Sequence, residues 1–205
     1  MSYVVASPLV TEASSVARFL LRDLPDRLVH SEAAARQAAA VARQLPRELD
    51  GEAVIAAALL HDIGYCAHIR RTGFHPLDGA LFLAATDWPD TVVRLVAHHS
   101  HAAVVAPYHG VAHHLAVIAP VSGFAADVLT YADLTAGRRG RGSTPEDRVA
   151  EMAVRHAERR HIPIEVREER YALLLASANR VREALLGVPS LHGRRERRSL
   201  DAAAS

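Results

Sequence analysis

The apolar run Ala53–Leu60 ends directly at an adjacent histidine and aspartate, His61 and Asp62. Its alanines and leucines are strong helix formers, so the run predicts a buried helix whose end carries the His-Asp pair. Burying an ionised carboxylate without compensation is strongly unfavourable. We therefore expect positive charge beside Asp62, and the surrounding sequence indicates a metal ion.

The rest of the chain is predicted to be helical as well. Half of the 205 residues are hydrophobic, many of them alanine and leucine, and no segment alternates as a strand would. We predict an all-α fold, a compact helical bundle that forms a single domain over residues 1–187, with the C-terminal helices over 145–187. The polar and basic residues 188–205 are predicted to be disordered. Helices are expected over residues 8–25, 30–45, 50–63, 75–85, 90–100, 111–118, 120–135, 145–160 and 164–186.

Composition excludes several classes of protein. The formal net charge is only +1, so nucleic acid is not an expected partner. No apolar stretch is long enough to span a membrane, and the first residues do not resemble a signal peptide. The single cysteine, Cys66, excludes an intrachain disulfide and fits a reducing compartment. We therefore expect a cytoplasmic protein; the oligomeric state stays open, and a homodimer is compatible with the sequence.

Four residues at predicted helix ends could converge on one metal ion. His30 lies at the start of a predicted helix, while His61, Asp62 and Asp133 lie near the ends of two others. A mixed histidine and carboxylate set suits Fe, Mn, Zn, Ni or Co, and two residues of each type leave coordination positions open. Taken singly, each residue is equally compatible with a core histidine or a surface carboxylate, so the prediction depends on the ordered set.

The segments that hold these residues resemble the HD-domain superfamily of metal-dependent phosphohydrolases. They are Leu28–Ser31, Leu59–Gly64 with the specific sequence Leu-Leu-His-Asp-Ile-Gly, and Leu129–Asp133, and the resemblance covers about residues 28–160. It implies a compact all-α bundle. It also implies metal ligands at His30, His61, Asp62 and Asp133.

Two further segments resemble those HD subfamilies that bind two metals. Phe74–Ala80 is similar to their His-Pro-x-x-Gly-Ala segment, and Leu95–Ser100 to their later His-His element. The resemblance implies second-metal ligands at His75 and His99, with adjacent His98 as another candidate, and Asp62 would then bridge the two metals. One metal or none stays open, because His75 could simply cap a helix and His98 could face solvent.

The implied activity is hydrolysis of a small phosphate ester or phosphodiester, most simply a nucleotide, by a metal-activated water. His61 and Asp62 would belong to the catalytic centre, and His68 in the following loop could donate a proton to the leaving group. Because all 24 basic residues are arginine, phosphate contacts must come from arginine, metal or backbone. Arg70, with Arg71, follows the His-Asp motif, and Arg138 with Arg139 follows Asp133; each could equally be an ordinary surface charge.

One departure from the superfamily pattern weakens the inference about substrate. Many HD phosphohydrolases have a lysine three residues after the motif aspartate, where this chain has Tyr65. Three alternatives to hydrolysis therefore stay open. They are oxygenase chemistry at a dinuclear iron site, a metal-stabilised regulatory module without turnover, and a helical scaffold whose histidines are structural.

Overall fold

The computed structural model describes residues 7–45, 49–121, 123–158 and 161–187, and every regular element in these ranges is helical. The predicted all-α fold is therefore confirmed. The predicted disordered tail, 188–205, lies outside the described residues. The helices are α1 Pro8–Leu20, α2 Pro25–Gln44, α3 Gly51–Leu60, α4 His75–Ala84, α5 Asp90–His98, α6 Ala102–Val105, α7 Ala112–Ala116, α8 Phe124–Ala136, α9 Pro145–His156 and α10 Ile164–Leu186.

Side-chain caps start several helices where the sequence predicts a start. The Ser7 hydroxyl accepts a hydrogen bond from the Val10 amide, and the Thr144 hydroxyl accepts one from the Asp147 amide. The Asp50 carboxylate caps α3 in the same way. Each cap satisfies an N–H group that has no partner within the helix.

The start of α2 differs from the prediction. The helix begins at Pro25 rather than His30, so His30 lies in the second turn. Proline at the first helical position is preorganised for a helix. The negative charge of Asp26 in the first turn interacts favourably with the positive end of the helix dipole. Arg27 thereby lies one turn before His30 on the same side of α2.

Helix α3 lies at the centre of the bundle. Seven of its ten residues are buried, and it packs against α1, α2, α5 and α8. A helix that is apolar on all sides requires such a position. As a result the end of α3, with His61 and Asp62, lies inside the protein and within reach of neighbouring helices.

Close backbone packing brings the segment after α3 against the start of α4. A 3₁₀ turn, Ile63–Tyr65, follows the His-Asp pair and packs on α4. A Cβ atom on Gly64 would lie 2.0 Å from the His75 carbonyl oxygen and 2.8 Å from the Gly79 nitrogen. Glycine is therefore required for α4 to place His75 beside Asp62.

The C-terminal helices cover one side of this centre. Helices α9 and α10 pack on α8 around a small second core of Leu134, Val149, Met152, Leu174 and Ala178. None of the helices in the described part of the chain is long and apolar enough to cross a membrane.

Candidate metal centre

Two groups of three side chains converge where α2 and α8 meet the ends of α3, α4 and α5. The first group is His30, His61 and Asp133, and the second is Asp62, His75 and His99. Within each group the potential ligand atoms all lie within 4.8 Å of one another. The structure thus brings together six of the seven residues that the sequence analysis proposed as metal ligands, and it divides them into two triads.

Backbone carbonyls orient three of the four histidines. The Nδ1 atoms of His30, His61 and His99 lie 2.9, 2.8 and 2.7 Å from the carbonyl oxygens of Gly137, Ala58 and Val96. A carbonyl can only accept, so each Nδ1 carries a hydrogen and donates it. The Nε2 atom is then the one left for a metal, which is the usual arrangement of metal-binding histidines.

The spacing of the inward-facing atoms fits ligands of a common ion. Nε2 of His30 lies 2.9 Å from Oδ1 of Asp133, and Nε2 of His75 lies 3.1 Å from Nε2 of His99. Two ligand atoms at about 2.0–2.1 Å from one zinc-like ion are roughly 3–3.5 Å apart. The residues present therefore fit divalent metal ions, and neutral imidazole with carboxylate suits Fe, Mn, Zn, Co or Ni.

Asp62 lies between the two triads. Its Oδ1 is 3.6 Å from Nε2 of His75 in its own triad and 3.7 Å from Nε2 of His61 in the other. Its Oδ2 accepts a hydrogen bond from Arg27 at 2.9 Å. This position is compatible with the predicted bridging role, which stays a prediction.

A sharp bend after α5 brings both His99 and Ser100 into the centre. Ser100 and His101 have positive φ values of 51° and 53°, and neither is glycine. The bend lets the Ser100 hydroxyl donate a 2.5 Å hydrogen bond to Oδ2 of Asp133. Left-handed backbone at a non-glycine residue costs about 1–3 kcal/mol and tends to occur at functional sites, so this bend positions the second triad against the first.

The electrostatic environment keeps the carboxylates ionised. Burial opposes charge on Asp62, but His61 and Arg27 outweigh it and lower the pKa of this carboxyl. Burial also opposes charge on Asp133, but the hydrogen bond from His30, the positive charges of His61 and His30 and the hydrogen bond from Ser100 together lower its pKa well below the ordinary value. Both side chains are therefore available as anionic ligands across the physiological pH range.

The histidines differ in how readily they hold a proton. Burial disfavours charge on His30, but its hydrogen bond to Asp133 and the negative charges of Asp133 and Asp62 together outweigh burial and raise its pKa. Burial, reinforced by neighbouring His61, lowers the pKa of His99 to about 4. Burial, with His99 next in effect, lowers the pKa of His75 well below its ordinary value. The two histidines of the second triad are thus neutral at neutral pH and, with the anionic Asp62, are ready to bind a cation.

Arg27 is a site residue that the sequence analysis missed. Besides its ion pair with Asp62, its guanidinium lies 4.0 Å from the centre of the Tyr65 ring, and that ring stacks on His75 at 4.1 Å. Tyr65, which occupies the expected lysine position, thus lies between a cation and a proposed metal ligand. Its position could have been predicted from helical spacing, because Arg27 precedes His30 by three residues and so lies on the same side of α2.

Three predicted residues lie elsewhere. The Nε2 atom of His98 donates to the Ile118 carbonyl at 2.6 Å, because α5 is still helical at this residue and directs its side chain away from His99. His68 is exposed beside Phe19 and Arg22, since the chain after the 3₁₀ turn runs toward α1. Arg70 is exposed in the same loop. These positions correct the proposed roles of His98, His68 and Arg70.

A chain of three cavities opens at the centre. The central cavity, of about 90 Å³, is lined by every member of the two triads except His61, and by Arg27, Arg148, Arg155, His156 and Arg170. One neighbouring cavity, of about 160 Å³, contains Phe74, Pro76, His109, Ile162 and Tyr171, and we call it the aromatic cavity. The other, of about 210 Å³, contains Arg27, Arg138, Arg139, Arg148 and Arg155, and we call it the arginine cavity.

Comparison with known proteins agrees with this geometry. The family model described as HD domain matches residues 27–159, which include every member of both triads. No curated protein and no solved structure matches the chain significantly. The matched segment is well over half of the 205 residues, and the chain therefore belongs to the HD domain family.

Proposed function

We propose that this protein is a metal-dependent phosphohydrolase that cleaves a small phosphate ester, most simply a nucleotide. The observation that carries the proposal is that five of the six triad side chains line one cavity together with four arginines. When bound, divalent metals would polarise a phosphoryl oxygen and lower the pKa of a water molecule. Two triads favour two such ions over one.

The side chains of this centre have distinct roles in the proposed reaction. His30, His61 and Asp133 would hold one ion, His75 and His99 the other, and Asp62 would contact both. Arg27 lines the central cavity, where the N–H groups of its planar guanidinium can donate hydrogen bonds to a phosphate. Fixed positive charge at this point stabilises the charge that develops on phosphorus-bound oxygens during attack.

Hydrolysis needs one water molecule and no other reactant. The water oxygen forms a bond to phosphorus, and the bond from phosphorus to the ester oxygen breaks. The ester oxygen leaves with the bonding electron pair and takes up a proton. His156 lines the central cavity in a buried position and lies 3.1 Å from the hydroxyl of Tyr171, so it takes the place of His68 as the nearest candidate for donating that proton.

The alternatives fit the site less well. In a purely structural scaffold, nothing would require the Nε2 atoms of three histidines to lie near the carboxylates of Asp62 and Asp133. In a regulatory module without turnover, nothing would require a cavity lined by arginines beside these residues. An oxygenase could use the same triads, but the arginines specifically favour an anionic, phosphate-bearing substrate. A cytoplasmic location stays a prediction.

The test is a panel of nucleotides and phosphodiesters assayed with Mn, Fe, Co, Ni and Mg, with bound metal quantified in parallel. Asp62→Asn should lower turnover by at least about 100-fold, because even partners outside the ligand shell cost 10- to 100-fold. Asp87→Asn is the matched control, since Asp87 is exposed beyond the opposite end of α4 from His75. Equal activity in the Asp62 variant, or no hydrolysis under any condition, would overturn the proposal.

A further inference from the structure

The arginine cavity adjoins the metal centre on the side of α2 and α9. It shares Arg27, His30, Arg148 and Arg155 with the central cavity, and it extends beyond them to Arg138 and Arg139. The aromatic cavity adjoins the central one through Tyr65, His75, His156 and Arg170, and it shares none of the arginines of the arginine cavity. A molecule bound at the metals can therefore extend in two chemically different directions.

Positive charge in the arginine cavity exceeds the carboxylates that could balance it. Arg139 pairs with Asp26 at 2.8 Å, and Arg148 pairs with Glu151 at 2.7 Å. Arg155 is 3.7 Å from that same Glu151. Arg27 pairs with Asp62 of the metal centre at 2.9 Å. Among the described residues the five arginines that line the cavity are thus paired with three carboxylates, of which Asp26 alone lines it.

The excess of positive over negative charge affects Arg155. Burial lowers the pKa of its guanidinium, and the positive charge of Arg148 lowers it further than Glu151 raises it. The two arginines share a single carboxylate, Glu151, so their positive charge is only partly balanced. An anionic ligand would therefore be stabilised in this cavity.

Arg148 provides an independent sign of a missing partner. Its side chain is only 8% exposed, and its Nε atom is buried with no hydrogen-bond partner among the described residues. Buried donors in folded proteins are almost always paired. Arg148 also lines both the central and the arginine cavity, so it stands where a ligand would pass from one to the other.

We infer that the arginine cavity binds a second phosphoryl group of the substrate, so that the substrate class is organic diphosphates. The inference rests on the proposed phosphohydrolase function and names its substrate class. One phosphoryl group lies at the metal triads, and the next lies among Arg138, Arg148 and Arg155. The aromatic cavity, lined by Phe74, Pro76 and Tyr171, takes the organic group.

The direct test is equilibrium binding of two probes that differ by one phosphoryl group, methylphosphonate and methylenediphosphonate. Neither probe is hydrolysed and neither carries a large organic group, so the comparison isolates the second phosphoryl site. Calorimetric titration of the metal-loaded protein should show methylenediphosphonate binding at least about tenfold more tightly, since hydrogen bonds to charged groups are among the strongest. Metal content measured after the titration checks that the probe has not removed the ions.

The matched variants locate the effect. In the double variant Arg138→Gln/Arg155→Gln the preference for the diphosphonate should fall by at least about tenfold. The control is Arg141→Gln, an exposed arginine of the same loop that does not line the arginine cavity, and it should keep the preference. Equal affinities for the two probes in the wild type, or a preference that persists in the double variant, would overturn the inference.

Kinetics separate this inference from the proposed function. ADP and AMP carry the same organic group, so the ratio of their kcat/KM values should favour ADP and should collapse in the double variant. If the diphosphonate preference and its arginine dependence are found but no phosphate ester is hydrolysed, the proposed function fails and the second phosphoryl site stands. If esters are hydrolysed with no preference for the diphosphate, the site fails and the function stands.

Discussion

Gly64→Ala is the substitution whose effect follows most directly from the geometry around the metal centre. The added Cβ would lie 2.0 Å from the His75 carbonyl oxygen, 2.8 Å from the Gly79 nitrogen and 2.8 Å from the His75 carbonyl carbon. All three are backbone atoms, so no side chain can rotate to make room. The 3₁₀ turn and the start of α4 must therefore move apart.

The magnitude can be worked from this clash. Overpacking in a core typically costs about 1–3 kcal/mol, and a clash with backbone on α4 belongs at the upper end. For a protein of this size about 3 kcal/mol lowers Tm by roughly 6–12 °C. Because His75 moves with α4, the metal ion at the second triad should be lost first, while the first triad keeps its ion.

The assay is thermal unfolding of metal-free protein together with metal analysis after reconstitution. The control is Gly187→Ala, where the nearest atom to a new Cβ is the Ala184 carbonyl oxygen at an ordinary 3.5 Å. That variant should stay within about 0.5 kcal/mol of wild type. A Gly64→Ala protein with wild-type Tm and full metal content would refute the close approach and the role assigned to α4.

Further predictions concern the residues around the two triads. Arg27→Met should lower kcat/KM for a phosphate ester by about 100-fold, as loss of one charge-stabilising donor does, with metal content kept; unchanged kinetics would remove Arg27 from the site. His98→Ala should leave metal content unchanged, and loss of an ion would restore His98 as a ligand. Ser100→Ala should weaken metal binding by about 10- to 100-fold, because Ser100 orients Asp133, and wild-type affinity would contradict that role. Metal binding at the first triad should release more protons at lower pH, because Asp133 raises the pKa of His30 despite its burial, whereas burial lowers the pKa of His75 and of His99. Affinity for the first ion should therefore weaken as pH falls, and a pH-independent affinity from 5 to 8 would contradict this assignment.

The fold and most of the centre were predictable because their signals are local. Alanine and leucine content, proline at helix starts and caps such as Ser7 and Thr144 are enough to indicate a helical bundle. The candidate ligands His61, Asp62 and Asp133 lie within short motifs at or near helix ends, so their order along the chain was informative. The structure brings His30 into the first triad as well, although it lies within α2 rather than at its start.

The remaining features depend on contacts that the sequence does not reveal. Excluding His98 from the centre requires knowing that α5 ends between His98 and His99. The bend after α5 is made by Ser100 and His101, in a backbone conformation that non-glycine residues seldom adopt. Arg148 and Arg155 reach the site only because α9 packs on α8. Such long-range packing leaves no periodic pattern near the motif itself.

The central claim is that the two triads hold two metal ions that share Asp62. The most direct measurement is metal stoichiometry of reconstituted wild type beside His30→Ala and His75→Ala, each removing one ligand from one triad. We expect two bound ions per chain in the wild-type protein and one in each variant. Two ions retained in either variant, or no bound ion in the wild type, would contradict it.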